Sequence, residues 1–381
     1  MEAPGRFDSD TRLLLRMPSW LGDFVMAEPH LAACVRALEE GRLASLSIVG
    51  PARFLELLDG TCHGKLNGAA DGREGPVRRL GEDGPQSAWR GHDAALFLDG
   101  SLRSLWRARQ ARIPVRWSWY SGGRWALASH GHWPACAGGA EALHLGSRSP
   151  LLGPRSRHLP RPFGAKCGEL LGAAGITPAS RAPKFRPTAR GLEQARKRLA
   201  ALGLAPGAPF FVLDVSARAN SAKAPAAEFW ALVVESLQAS GAPQLVSLTA
   251  PGEEGCGAQL KELATGAGVH VTEPPPDLAE LLALVSLAAV FLGADSGPRH
   301  LAAATGTPAL VLFGPSDRRH TADHSAATRG LSAPVPCGPC HHELCNQSGS
   351  NRQACFWKIS PVAVAASALE LWRACQGAQA P

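Results

Sequence analysis

Leu287-Ala-Ala-Val-Phe-Leu-Gly293-Ala294-Asp295-Ser296-Gly297-Pro298-Arg299-His300, continued by LAAATGTPALVLFGPSD to Asp317, decides the fold. An apolar run rich in branched residues reads as a buried strand ending near Asp295. Gly297-Pro298 then opens a helix, because Pro suits the first helical turn, where its missing N–H is not needed. Gly306 closes that helix, and PALVLFG (308–314) is the next strand. Strand, tight turn, helix and strand within thirty residues make a βαβ unit, and hence a parallel sheet covered by helices. Free N–H groups at such a helix start suit an anion, and Gly297 lets a phosphate come close. The carboxylate of Asp295 beside them suits sugar hydroxyls. The same residues also fit a plain helix cap with no ligand.

The alternation extends on both sides. Upstream lie the strands FFVLDV (210–215), QLVSLTA (244–250) and VHVTE (269–273), with helices over 226–239 and 277–285. The N-terminal half repeats the pattern with strands over 11–16, 43–49 and 94–98, and residues 61–92 read as mostly loop. The Pro- and Arg-rich stretch TPASRAPKFRPTAR (177–190) separates the two blocks. The predicted architecture is α/β, with two doubly wound, Rossmann-like domains facing across a cleft. They cover 1–180 and 190–360, and a C-terminal helix (361–381) is expected to pack back on the N-terminal domain.

Composition bounds the function. The chain has 381 residues, 45% of them hydrophobic, enough for two cores. Its 41 Gly and 31 Pro stay below the share expected of a disordered chain. A net charge of +7 fits an anionic ligand or membrane surface as well as nucleic acid. No signal-peptide pattern is visible, and the longest apolar stretch, Leu278 to Ala294, is interrupted by Glu280. A cytoplasmic chain is expected, its ten Cys residues serving as thiols or metal ligands rather than disulfides.

Four further groups could carry chemistry. Asp23, in the first strand–helix connection, lies where open α/β sheets bind ligands; it could take a proton from a hydroxyl or simply cap a helix. Lys223 closes the loop SARANSAK (216–223) in a Lys-poor chain, and reads as a phosphate clamp or a solvated cation. Cys337-x2-Cys340-x4-Cys345-x9-Cys355, with His341 and His342 inside, has the density of a structural zinc site, though only the first interval is ribbon-like. Arg103, Arg107, Arg109, Arg112, Arg116 and Arg124 alternate with Trp106, Trp117, Trp119 and Trp125. That run suits an acidic glycolipid at a membrane, nucleic acid, or a solvated helix face.

Together, Arg16-Met-Pro-Ser-Trp-Leu-Gly-Asp23-Phe-Val-Met-Ala-Glu-Pro, Leu278-Ala-Glu-Leu-Leu-Ala-Leu, Asp295-Ser-Gly-Pro-Arg-His300-Leu-Ala-Ala-Ala and Leu312-Phe-Gly-Pro-Ser-Asp317 resemble glycosyltransferase family nine, the lipopolysaccharide heptosyltransferases. The Cys337-Gly-Pro-Cys340 cluster is similar to that of heptosyltransferase II-like members. The resemblance implies a GT-B fold and inverting transfer of heptose from ADP-heptose to the lipopolysaccharide inner core. It implies no cofactor for catalysis. Asp23 would be the general base. Lys223 would meet the donor phosphates, Asp295 the sugar hydroxyls, and Ser296 and Gly297 would offer N–H groups to the diphosphate. His300 would brace that loop, and Glu253 would reach the ribose or base. Arg103, Arg107 and Arg116 would face a phosphorylated core or lipid A precursor at the anionic inner-membrane surface, with no nucleic acid involved. Two features depart from the family: Lys223 is followed by Ala224-Pro225 rather than an aromatic and Pro, and 61–92 has no counterpart. Alternative functions are a GT-B enzyme with another nucleotide-diphospho-sugar and a non-catalytic sugar-nucleotide or glycolipid binder.

Overall fold

The computed structural model describes residues 7–61, 76–119, 124–132, 162–178, 180, 182–215, 221–264, 268–321 and 327–377. It divides into two compact units, 1–184 and 185–381. The N-terminal unit holds β1 (Arg12–Arg16), β2 (Ser45–Gly50), β3 (Val77–Gly81), β4 (Ala94–Phe97), β5 (Val115–Trp119) and β6 (His130–His132). The C-terminal unit holds β7 (Phe210–Asp214), β8 (Gln244–Ser247), β9 (Val269–Val271), β10 (Val290–Ala294), β11 (Ala309–Phe313) and β12 (Thr328–Ser332).

Both sheets are parallel and have the same order. One runs β3-β2-β1-β4-β5-β6, and the other, read from its far edge, β9-β8-β7-β10-β11-β12. The central strands are continuous apolar runs because helices cover both faces. Leu13, Leu14 and Leu15 of β1 and Phe211, Val212 and Leu213 of β7 are fully buried. In each unit the first strand is central, and the chain leaves it first toward one edge and then toward the other. The crevice at this switch point, beyond the carboxyl ends of β1 and β4 or of β7 and β10, is where doubly wound sheets bind ligands.

The stretch 61–92, read as mostly loop, contains β3 and a single 3₁₀ turn, Gln86–Trp89, among its described residues; β3 pairs with β2 at a sheet edge, where Arg78 and Arg79 are tolerated between Val77 and Leu80. The C-terminal helix Pro361–Gly377 packs into the C-terminal unit's core. It lies along the helix Ala227–Ala239. Val364, Ala365 and Ala368 are buried in that core, and Trp372 meets Phe211 edge to face at 5.7 Å between ring centroids.

Candidate functional site

At the switch point of the C-terminal unit, β7 ends in Asp214 and β10 runs into Asp295-Ser296 and the helix Gly297–Thr305. The two strands approach closely: a Cβ on Gly293 would lie 2.9 Å from the Asp214 Cβ, so only glycine fits there. Ser296 holds the capping position but forms no cap; its hydroxyl donates to Asp214 Oδ2 instead. The first-turn N–H groups of that helix are therefore left uncapped by Ser296. Arg299, one turn on and wholly buried, donates from Nε to Asp295 Oδ1 at 2.8 Å and from Nη2 to the Thr321 carbonyl at 2.6 Å. Its guanidinium also lies 5.7 Å from the centre of the Phe313 ring. This pair fixes the Asp295 carboxylate at the helix start. His300 is buried just behind.

Lys223 is exposed, on a loop whose preceding residues 216–220 lie outside the described structure. A later segment holds this loop in place. The Ala222 amide donates to the Glu343 carbonyl at 2.8 Å, Ser221 pairs with Leu344, and Gln353 Nε2 donates to the Ser221 and Ala224 carbonyls at 3.1 and 2.7 Å. The same segment reaches the loop after β11, where the His341 amide donates to the Pro315 carbonyl at 2.9 Å. Since β10 lies between β7 and β11, the segment spans the end of the sheet where Asp295 stands. The His341 imidazole, edge to face with His320, is held below its ordinary pKa, chiefly by burial. The charges of Asp317, Lys223, Asp295 and His342 also act on it. Asp317 sits below the usual carboxylate range because Arg319 hydrogen-bonds it. Glu253 is half-buried at the capping position of the helix Glu254–Leu263, in the connection after β8, beside β7.

In the N-terminal unit, Asp23 lies in the first turn of the helix Leu21–Glu39, which begins earlier than the sequence suggests. It is half-buried, and its charge helps raise the pKa of the buried Cys167 thiol. The sequence reading missed two charged residues at the strand ends of this unit. Arg16, the last residue of β1, is buried and paired with Glu82 at 2.6 Å and Asp99 at 3.3 Å. Burial pushes the Asp99 carboxyl up to about 6, against the pull of Arg16. A lone Arg closing an apolar strand, and an Asp closing another, were the available signals; Asp214 gave the same one.

The three arginines expected to meet an acceptor do not act alike. Arg107 donates to the Glu82 carbonyl and, at 2.7 Å, to the Gly84 carbonyl, and its guanidinium stacks 4.6 Å from the centre of the Trp89 ring. Arg116 donates to the Leu127, Ile113 and Pro114 carbonyls at 2.8, 2.5 and 3.0 Å. Both guanidinium groups brace loops. Arg103 is exposed on the helix Leu102–Gln110, next to the half-exposed Trp106, whereas Trp117 and Trp119 are buried in β5.

For Cys337, Cys340, Cys345 and Cys355, the thiols share a neighbourhood: after burial, the charges of the other three raise Cys355 to about 11. Yet among the described residues no three His, Cys, Asp or Glu side chains gather as a metal-ligand set. Cys345 Sγ instead accepts the Gln353 amide at 3.4 Å. This arrangement does not fit the expected zinc.

Residues 176–350 match the family described as Glycosyltransferase family 9 (heptosyltransferase). Lipopolysaccharide heptosyltransferase 1 of Pseudomonas aeruginosa is 28% identical over 114 residues, 27% of this chain. That stretch spans 32% of the relative, about a third of its length. Two solved structures extend the likeness to the whole fold. E. coli ADP-heptose lps heptosyltransferase II has a TM-score of 0.67 at 18% identity, covering 96% of this chain and 99% of that one. A glycosyl transferase of family 9 from Veillonella parvula has a TM-score of 0.68 at 15% identity, covering 98% and 99%. Residues 176–350, most of them in the C-terminal unit, are thus similar to glycosyltransferase family 9, and the chain shares the fold of the two solved structures.

Proposed function

We propose that the chain is an inverting glycosyltransferase that moves heptose from ADP-heptose to the inner core of lipopolysaccharide. The observation that carries this is the helix start at Gly297, which Ser296 leaves uncapped in favour of Asp214, beside the pinned Asp295. When the nucleoside diphosphate leaves, negative charge builds on its terminal phosphate. The helix N-terminus and the Lys223 ammonium stabilise that charge, as preorganised dipoles and a point charge do without a metal. Asp295 accepts hydrogen bonds from sugar hydroxyls, and Glu253 serves the ribose or base.

On the acceptor side Asp23 takes the proton of the attacking hydroxyl as the new glycosidic bond forms on the face opposite the departing phosphate. In this reading 1–180 binds the acceptor and 190–360 the donor. Arg103, exposed beside Trp106, is the part of the basic run that meets the phosphorylated acceptor at the cytoplasmic face of an anionic inner membrane. Among the described residues no helix is long and apolar enough to cross a membrane. The names of the P. aeruginosa and E. coli relatives support the choice of donor and acceptor.

Calorimetric titration with ADP, ADP-heptose, UDP and GDP tests the donor. Selective binding of the ADP pair is expected; a preference for UDP or GDP moves the function to another surface glycan. Asp23→Ala should lower turnover at least about 10³-fold while ADP affinity stays within a few-fold. A mutant as active as the wild type sinks the base assignment.

A further inference from the structure

One buried side chain ties together the carboxyl end of the N-terminal sheet. Arg16 Nη2 donates to Ser19 Oγ at 2.7 Å and Glu82 Oε2 at 2.6 Å, and Ser19 Oγ donates in turn to Glu82 Oε2 at 2.9 Å. Nε lies 3.2 Å from Ser104 Oγ and 3.3 Å from Asp99 Oδ2. Nη1 reaches the Met17 carbonyl and, at 3.5 Å, that of Val49. The knot therefore joins the ends of β1, β2 and β4, the residue after β3, and the helix after β4.

Such a knot is a costly way to finish a core strand, since an apolar residue there would avoid burying an arginine between two carboxylates. Its yield is position. Met17 and Ser19 belong to the short loop that feeds the helix Leu21–Glu39, and the first bond of that helix runs from the Phe24 amide to the Trp20 carbonyl at 2.8 Å. Arg16 grips the loop twice, at the Met17 carbonyl and the Ser19 hydroxyl, within one turn of Asp23.

We propose that Arg16, with Glu82 and Asp99 as its counter-ions, is a positioning residue for Asp23, holding the 17–20 loop so that the first helical turn presents that carboxylate to the acceptor hydroxyl in one orientation. The proposal rests on the reading of Asp23 as general base. Misplacing a reacting group by about 1 Å costs on the order of 10²-fold in rate, so a rigid loop has value there. Asp99 is the weaker counter-ion: its Oδ1 is buried without a hydrogen-bond partner. Arg16, Arg124 and the Ser101 amide favour its charged form, while burial and Glu82 oppose it. Glu82 is left as the principal clamp on Ser19.

The test uses the full chain, ADP-heptose and a truncated lipopolysaccharide acceptor. Ser19→Ala and Glu82→Gln should each lower kcat about 10- to 100-fold, with ADP affinity in calorimetry and donor KM within twofold. Ser19→Thr, which keeps the hydroxyl, should recover most of the loss. Arg16→Met should follow the same pattern, with circular dichroism reporting its fold; if it does not fold, the Ser19 series decides. Wild-type kcat in Ser19→Ala, or ADP affinity falling in step with kcat, overturns the proposal. An active Asp23→Ala variant overturns the base reading instead, while an inactive one beside a fully active Ser19→Ala overturns the positioning role alone.

Discussion

Arg299 Nε lies 2.8 Å from Asp295 Oδ1, and both side chains are almost wholly out of solvent, 0% and 7% exposed. The pair sits at a helix N-terminus, where the carboxylate is favoured by the helix dipole and the guanidinium is not. Arg299 is retained there by Asp295, the Thr321 carbonyl and the face of Phe313.

Removing one partner should expose the cost of the arrangement. Arg299→Met leaves a buried carboxylate without its cation, and urea unfolding should show a loss of about 3–5 kcal/mol. A loss below about 1 kcal/mol would mean that Asp295 is held by other groups.

Asp99 makes stability depend on pH in a defined window. Its folded-state pKa of about 6 is raised above the ordinary 3.8, so the fold favours the protonated form. Relative to a neutral side chain, the stabilisation is full below pH 3.8 and disappears as pH rises through 6, a change of roughly 3 kcal/mol. Asp99→Asn should therefore gain more over the wild type at pH 7 than at pH 4.5. Equal differences in urea midpoint at the two pH values would exclude this ionisation as the source.

Arginine variants should separate bracing from exposed charge. Arg107→Gln removes the donors to the Glu82 and Gly84 carbonyls and the stack on Trp89, and should cost about 1–3 kcal/mol. Arg103→Ala, on an exposed helix face, should stay within about 0.5 kcal/mol. Thermal melts of the two proteins side by side check this, and the reverse order would contradict the assignment.

Gly314 is a packing requirement. A Cβ there would fall 2.6 and 2.8 Å from two atoms of the buried Phe356 ring and nearer still to Cζ. Gly314→Ala should destabilise by about 1–3 kcal/mol, and adding Phe356→Leu should return part of it. Strict additivity of the two changes in a double-mutant cycle would rule out the clash.

The thiols should react in an order set by burial. Cys337 is exposed, whereas Cys34 and Cys167 are fully buried, with Cys34 pushed up to about 12 and Cys167 also raised by desolvation. Iodoacetamide at pH 8 should modify Cys337 early and reach Cys34 and Cys167 only on unfolding. Mass spectrometry of timed samples reads this directly, and early labelling of Cys167 would refute it.

The sequence was most legible where a strand is covered on both sides. β1, β2, β4, β7, β10 and β11 are apolar runs and can be seen as such. β3 (VRRLG), β6 (HGH) and β12 (TRGLS) lie at sheet edges, where charged and polar residues are tolerated and blunt further pairing, so their pattern fades. β5 (VRWSW) lies next to an edge and read as part of a basic run. Asp23, Lys223 and Asp295 stood out because each follows a readable strand. Arg16, Asp99 and Asp214 did not, because a strand-end residue gains its meaning from a parallel neighbour far away in sequence, as Ser296 is for Asp214. The bracing roles of Arg107 and Arg116 were hidden for the same reason: their partners are backbone carbonyls, which leave no mark on composition.

The placement of β1 and β7 at the centre of their sheets also sets a timetable for synthesis. Each can pair early with the strand that follows it, but its other side waits for a strand made about eighty residues later, as Leu13 waits for Ala94 and Phe211 for Val290. A nascent chain thus carries one open, strongly apolar strand edge through the making of each half. The first sheet can close that edge before the second presents its own, so the ribosome exposes the two vulnerable edges in succession rather than together.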